Sequence, residues 1–356
     1  MTATLDAARR DAFAERLLGI LNGGALSLMI SIGHRSGLFD VMGRETFATS
    51  DALADSSGLQ ERYVREWLGA MVAGGIVEYQ PAGRSYRLPP EHAALLTRDA
   101  RPNNLAATAQ WVPLLASVED DVLTCFQRGG GVPYEAFDRF QEVMAEESDQ
   151  TVVATLCETI LPIVPGLVER LATGIDAVDV GCGSGRALNR MAHEYPKSRF
   201  VGYDVSARAV AAARAEAEDR ALKNVRFEVR DAVKLGPARS FDLVTAFDAI
   251  HDQAEPVAVL DAIARALRPG GVFLMQDIRG TSRVEDDARH PLGAFLYTVS
   301  CLHCMTVSLA ARGAGLGAMW GVETARRMLL EAGFADLEVE ALPHDVMNLY
   351  YVARKR

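Results

Sequence analysis

The chain has 356 residues, 49% of them hydrophobic and 24% charged, with a formal net charge of −10 at pH 7. That length accommodates two domains, and the acidic balance argues against general affinity for nucleic acid or an anionic lipid surface. Five cysteines in no regular framework point to a reducing, cytoplasmic setting, and Asp6, Arg9, Arg10, Asp11, Glu15 and Arg16 interrupt any apolar leader at the amino end.

In chain order, the apolar run from Ala25 to Ile32 predicts a buried helix stopping near Gly33 and Gly37. Thr49, Ser50 and Asp51 supply capping oxygens for a short helix reaching Ser57, and Gly58 gives a turn. Glu61 to Ala73 forms a further helix, with Tyr63, Val64, Trp67, Leu68 and Met71 at three-and-four spacing. Ile76–Tyr79 and Tyr86–Leu88 then flank a Pro-Ala-Gly turn as a hairpin. Helix-turn-helix plus hairpin is the winged-helix layout, assigned to residues 1–100. DNA readout would need cations on the second helix and the wing, yet residues 1–100 hold 12 acids against 10 arginines, a balance of −2.

Residues 101–169 read as a helical linker and pocket cover. Within them Phe140, Met144 and Ser148 recur at intervals of four and share one helix face.

Residues 170–356 carry strands alternating with helices. Asp176-Ala-Val-Asp-Val180 is a strand covered on both faces that empties into Gly181-Cys-Gly-Ser-Gly185, whose spacing differs from the G-x-G-x-x-G of dinucleotide sites. Arg199 to Asp204 is a second strand ending in an acid, placed to accept both ribose hydroxyls of an adenosine. Val225 to Arg230 is a third, followed by Asp231, suited to an adenine amino group, and by the small Ala232. Phe241 to Phe247 runs into Asp248-Ala-Ile-His251-Asp252, and Gly271 to Asp277 follows the turn Leu267–Gly271. This alternation predicts a parallel α/β sheet with its ligand at the carboxyl ends of the strands.

The five ordered pieces VDVGCGSG, VGYD, RDA, FDLVTAFDAIHD and LRPGG resemble the class I S-adenosylmethionine-dependent methyltransferases. Together with the winged-helix layout they resemble the two-domain O-methyltransferases of plants and bacteria, and a group of actinobacterial winged-helix methyltransferases. The resemblance implies a Rossmann-like seven-stranded sheet with one antiparallel strand in its last hairpin, for which Ala335–Glu340 and Asn348–Val352 are candidates. It also implies S-adenosylmethionine as cofactor, S-adenosylhomocysteine as product, a small-molecule acceptor and a homodimer. Leu17–Leu28 and Leu105–Val122 would supply the dimer interface. Asp179, Gly181, Gly183, Gly185, Asp204, Asp231, Ala232, Phe247 and Met144 are the expected cofactor residues.

Methyl transfer to a hydroxyl needs a base near neutral pKa, and His251, paired with Asp252, meets that need. In the resembling enzymes the His-Asp pair is followed by Trp; here Gln253 follows. His303 lies on the uncharged stretch Leu292–Ala311, expected to be a buried helix over the site rather than a membrane span. His251, Asp252 and His303 are the expected catalytic residues. If they converge, a two-His-one-carboxylate metal site for α-keto acid C-methylation is an alternative, as is a cofactor-sensing DNA-binding regulator. Whether a metal binds is left open. Gly313–Gly317 reads as a flexible lid with Trp320 closing over substrate, and His193, His290 and His344 as surface or loop residues.

Overall fold

The structure, a computed structural model, describes residues 5–102 and 104–355. The chain divides into two compact units, 1–114 and 115–356, so the segment 101–169 is shared between them.

The first unit opens with one helix, Ala7–Ser36, started by the Asp6 side chain and ended by Gly37 in the left-handed conformation. The predicted helix over 25–32 was therefore far too short. Gly33, read as a stop, is instead a close-packing position, because a Cβ there would lie 2.5 Å from the Trp67 ring and 2.7 Å from Phe39. Helices Ser50–Ser57 and Glu61–Ala73 follow as expected, the first capped by Thr49 and ended at Gly58. Strands β1 (Ala48–Thr49), β2 (Glu78–Gln80) and β3 (Ser85–Arg87) pair in the order β1-β3-β2 and form the wing. Leu38, Phe39, Met42, Leu53, Val64, Trp67, Leu68 and Met71 make its core. On the second helix Arg62 pairs with Glu66 and Arg65 with Glu61, so the two cations that DNA readout would use are already matched by acids.

The second unit is built on a seven-stranded sheet of β4 (Asp176–Val180), β5 (Arg199–Asp204), β6 (Val225–Val229), β7 (Phe241–Phe247), β8 (Leu267–Ile278), β9 (Phe334–Glu340) and β10 (Asn348–Lys355). Their order is β6-β5-β4-β7-β8-β10-β9, and β10 runs antiparallel to both neighbours, as the resemblance implied. The predicted turn at Leu267–Gly271 is the start of β8, where Leu267 already pairs with Phe241 before the register shifts. Strands β4 and β7 are almost wholly buried, which explains their near-continuous apolar runs. The order reverses between β4 and β7, which leaves a crevice at their carboxyl ends.

By length and composition alone two helical stretches could cross a membrane, Ala7–Ser36 and Gly293–Ala310, with 17% and 44% of their apolar windows buried. The second has polar residues facing inward, including His303, Thr306 and Ser308, all buried. Of the interface segments expected from sequence, Leu17, Leu18, Ile20 and Leu21 are exposed, whereas Trp111, Leu114, Leu115, Val118 and Val122 are buried.

Candidate active site

The carboxyl edge of the sheet has two halves. On the β4 side, Gly181, Gly183 and Gly185 all take positive φ, of 70°, 52° and 71°. A Cβ on Gly181 would meet Ala249 at 2.5 Å, and one on Gly185 would meet Phe227 and Ala213 at 2.7 Å, so backbone conformation and space both demand glycine. Nothing lies within 4 Å of a Cβ on Gly183, which leaves the turn open at its middle. The Gly183 amide donates to Asp204 Oδ2 at 2.9 Å, and the Ser206 amide donates to Asp204 Oδ1 at 2.8 Å. Each oxygen retains acceptor capacity for a ribose hydroxyl. Burial pushes the Asp204 carboxyl up, and these backbone donors oppose it.

Asp179 is a buried member of β4 whose Oδ1 accepts from Thr245 Oγ1 at 2.7 Å; burial pushes its carboxyl up to about 7. Asp231 caps the turn Ala232–Lys234 through the Val233 amide, and Ala232 is buried beside it. Phe247 closes β7 and packs on the core shared with Val178's strand neighbour Ala177. Met144 lies on the helix Phe140–Ser148, together with Phe140.

On the β7 and β8 side, buried polar groups converge on His251. Its Nδ1 lies 2.8 Å from Asp277 Oδ1 and its Nε2 lies 3.2 Å from Asp252 Oδ1. Asp277 Oδ1 also accepts from the Trp320 indole at 2.9 Å and from the Ile278 amide at 2.8 Å. Burial by itself would push the imidazole down, but Asp277 and Asp252 outweigh it and hold His251 well above its ordinary range. Asp252 is fixed from its far side by the Tyr134 hydroxyl, which donates to Oδ2 at 3.0 Å. Asp248, at the end of β7 with φ of 55°, has its carboxyl pushed up to about 7 by burial.

His303 is fully buried and stacks on Phe140 with ring centroids 4.2 Å apart, edge-on to Tyr134 and Phe137. Burial pushes it down to about 4, so it is neutral. Its Nδ1 comes no nearer than 3.8 Å to Asp252. Among the described residues the metal-capable groups that do converge, with ligand atoms within 4.8 Å of one another, are His251 with Asp252 and Cys304, and His251 with Asp248 and Asp277. Cys304 therefore stands where the two-histidine expectation put His303. A wide helical turn, Ser300–Cys304, brings both residues inward, a feature that recurs at functional sites and has no sequence signature.

Two further expectations are corrected. Gly313–Gly317 is a packed connection rather than a flexible lid: Gly313, Ala314 and Gly315 donate to Ser308, Ala254 and the Ser308 hydroxyl, and a Cβ on Gly317 would meet Ser300 at 2.4 Å. Trp320 is buried and bonded to Asp277, so it orients the site instead of closing over it. His193 is exposed as expected, but His344 bonds Thr155 at 2.9 Å beside a buried network around Asp345. Tyr134, Cys304, Asp277 and Asp345 were not among the expected catalytic or cofactor residues. Asp277 carried a visible signal, an acid ending a buried strand.

Residues 24–98 match the family model of the Rv2258c-like winged HTH domain, and residues 171–312 match that of a methyltransferase domain. The trans-aconitate 2-methyltransferase of Methylobacterium nodulans is 33% identical over 106 residues, 30% of this chain and 39% of that protein. The nocamycin O-methyltransferase of Saccharothrix syringae is 39% identical over 100 residues, 28% of this chain and 36% of that protein. The chain thus spans about two fifths of the length of these relatives. Human N-acetylserotonin methyltransferase, solved with S-adenosylmethionine, superposes with a TM-score of 0.68 at 18% identity, covering 100% of this chain and 99% of that one. The chain joins a winged helix-turn-helix domain to a methyltransferase domain of the class I fold.

Proposed function

From a methyltransferase domain whose sheet edge holds a glycine turn on one side and a carboxylate-bracketed histidine on the other, we propose that this protein transfers the methyl group of S-adenosylmethionine to a hydroxyl of a small molecule. The observation that carries the reading is the placement of His251. It follows β7, the neighbour of the strand that empties into the glycine turn, and its Nδ1 is bonded to Asp277, which fixes the ring with Nε2 beside Asp252.

In this reading Gly181, Gly183 and Gly185 let the backbone approach the cofactor, and Asp204 accepts from its ribose. Asp231 and Ala232 bound the adenine, with Asp179, Phe247 and Met144 around the rest. The acceptor oxygen attacks the methyl carbon in line with the carbon–sulfur bond. That bond's electron pair leaves with sulfur as the neutral thioether, and the hydroxyl proton passes to His251 Nε2. Because Asp252 and Asp277 hold the imidazole's proton tightly, His251 must first lose it, and turnover rises with pH. Tyr134 keeps Asp252 in place beside Nε2, and neutral His303 forms an apolar wall with Phe140 and Phe137. The exposed row Leu17, Leu18 and Leu21 supports pairing with a second copy of the chain.

Calorimetric titration of S-adenosylhomocysteine tests the reading first. Micromolar binding supports it, and absence of binding would sink it.

A further inference from the structure

Asp345, at the foot of β10, collects the donors on its side of the site. It accepts from Gln276 Nε2 at 3.2 Å, Asn348 Nδ2 at 2.9 Å, the Tyr350 hydroxyl at 2.9 Å, and the Met347 and Asn348 amides at 3.0 and 3.1 Å. What remains without a partner around it is acceptor oxygen: Asp248 Oδ1, Gln276 Oε1, Asp277 Oδ2 and Asn348 Oδ1. Asp277 and Gln276 are 0% and 1% exposed, so bulk water does not reach their oxygens.

Charge points the same way. The strongest charges acting on Asp248 are His251 and three further carboxylates, Asp277, Asp252 and Asp345. Among the described residues no Arg or Lys lies within 4.0 Å of Asp248, Asp252, Asp277 or Asp345; the imidazoles at that distance are His251, held well above its ordinary range, and the neutral His303. A partly buried group of carboxylates with one charged imidazole between them is short of positive charge, and leaving it so is costly. A carboxylic acid acceptor would add to the deficit.

We propose that the acceptor is an amino-hydroxy compound whose ammonium group sits against Asp248, with the hydroxyl to be methylated presented to His251. This rests on the methyl-transfer reading and narrows it to a substrate class. Asp248 suits the anchoring role. It stands three residues before His251, its Oδ1 is 3.9 Å from the His251 ring, and its left-handed backbone turns it out of the strand. A divalent ion held by His251, Asp252 and Cys304 is the competing cation, and the titrations below separate the two.

Three catechol probes with cationic, neutral and anionic side chains test the proposal by calorimetry on the full chain, with and without S-adenosylhomocysteine. They are dopamine, 4-methylcatechol and 3,4-dihydroxyphenylacetate. Dopamine should bind at least about tenfold more tightly than 4-methylcatechol, the scale of one partly screened charge contact, with the carboxylate weakest. Asp248→Asn, which tolerates the left-handed backbone, should bring dopamine to within about twofold of 4-methylcatechol while leaving S-adenosylhomocysteine affinity unchanged. His251→Ala should tighten dopamine binding, because the competing positive charge is gone; a purely structural role for Asp248 predicts no such gain. Equal binding of the three probes, or an amine preference that survives Asp248→Asn, overturns the proposal. So does stoichiometric binding of cobalt(II) chloride that makes the carboxylate the best probe. If S-adenosylhomocysteine fails to bind, the methyl-transfer reading falls, and the amine preference is still decided by the titrations without it.

Discussion

The two halves of the sheet's carboxyl edge solve different problems with different parts of the chain. The β4–β5 half is a backbone device. Glycines in left-handed conformation and amides bonded to Asp204 shape it, and its parts lie within about thirty residues of one another. The β7–β8 half is a side-chain device. Imidazole, carboxylates, indole and phenol are gathered there by bonds that span as many as 118 positions. One half fixes geometry through conformation, the other fixes charge through burial, and single substitutions should separate the two.

The largest expected effect is His251→Ala, which should lower kcat by about 10²–10⁴-fold, the range of a positioned general base, with S-adenosylhomocysteine affinity kept. A parallel loss of binding in calorimetry would show that the two halves are one device. Asp204→Ala should do the reverse, weakening donor binding by about 1–3 kcal/mol, the range for removing a partner of a buried polar group, with kcat at saturating donor little changed. An unchanged affinity would place the ribose elsewhere. Trp320→Phe removes one of three donors to Asp277 Oδ1 and should cost about 0.5–1.5 kcal/mol of transition-state stabilisation, read from kcat/KM, with donor affinity intact. The smallest effect is a displacement. Asp252 raises the His251 pKa, so Asp252→Asn should move the rising limb of the pH–rate profile to lower pH. A limb that stays in place would mean that His251 is not the titrating base.

Legibility in the sequence divides along the same line. Strands β4, β5 and β7 and the glycine turn were readable because buried parallel strands are continuous apolar runs and a tight turn is local chemistry. His251 and Asp252 were readable as a polar pair after an apolar strand. That Asp277 and Trp320 join this pair was not. Asp277 lies 26 residues away, and Trp320 lies 43 residues from Asp277, so only the folded sheet and the packed Gly313–Gly317 connection bring them together. Cys304 displaced His303 from the converging set because the turn at Ser300–Cys304 departs from the regular helical step, which periodicity presumes. In the winged-helix unit Gly33 misled for the opposite reason. A glycine that lets Trp67 approach looks, in sequence, like one that ends a helix.

The bond between Trp320 and Asp277 has an optical consequence. The chain has three tryptophans, and Trp67 and Trp111 both belong to residues 1–114. Trp320 is the single indole of the other unit, hydrogen-bonded to the carboxylate that orients His251. In a variant with phenylalanine at positions 67 and 111, its emission spectrum becomes a built-in gauge of the charge state beside the imidazole, readable without any added label.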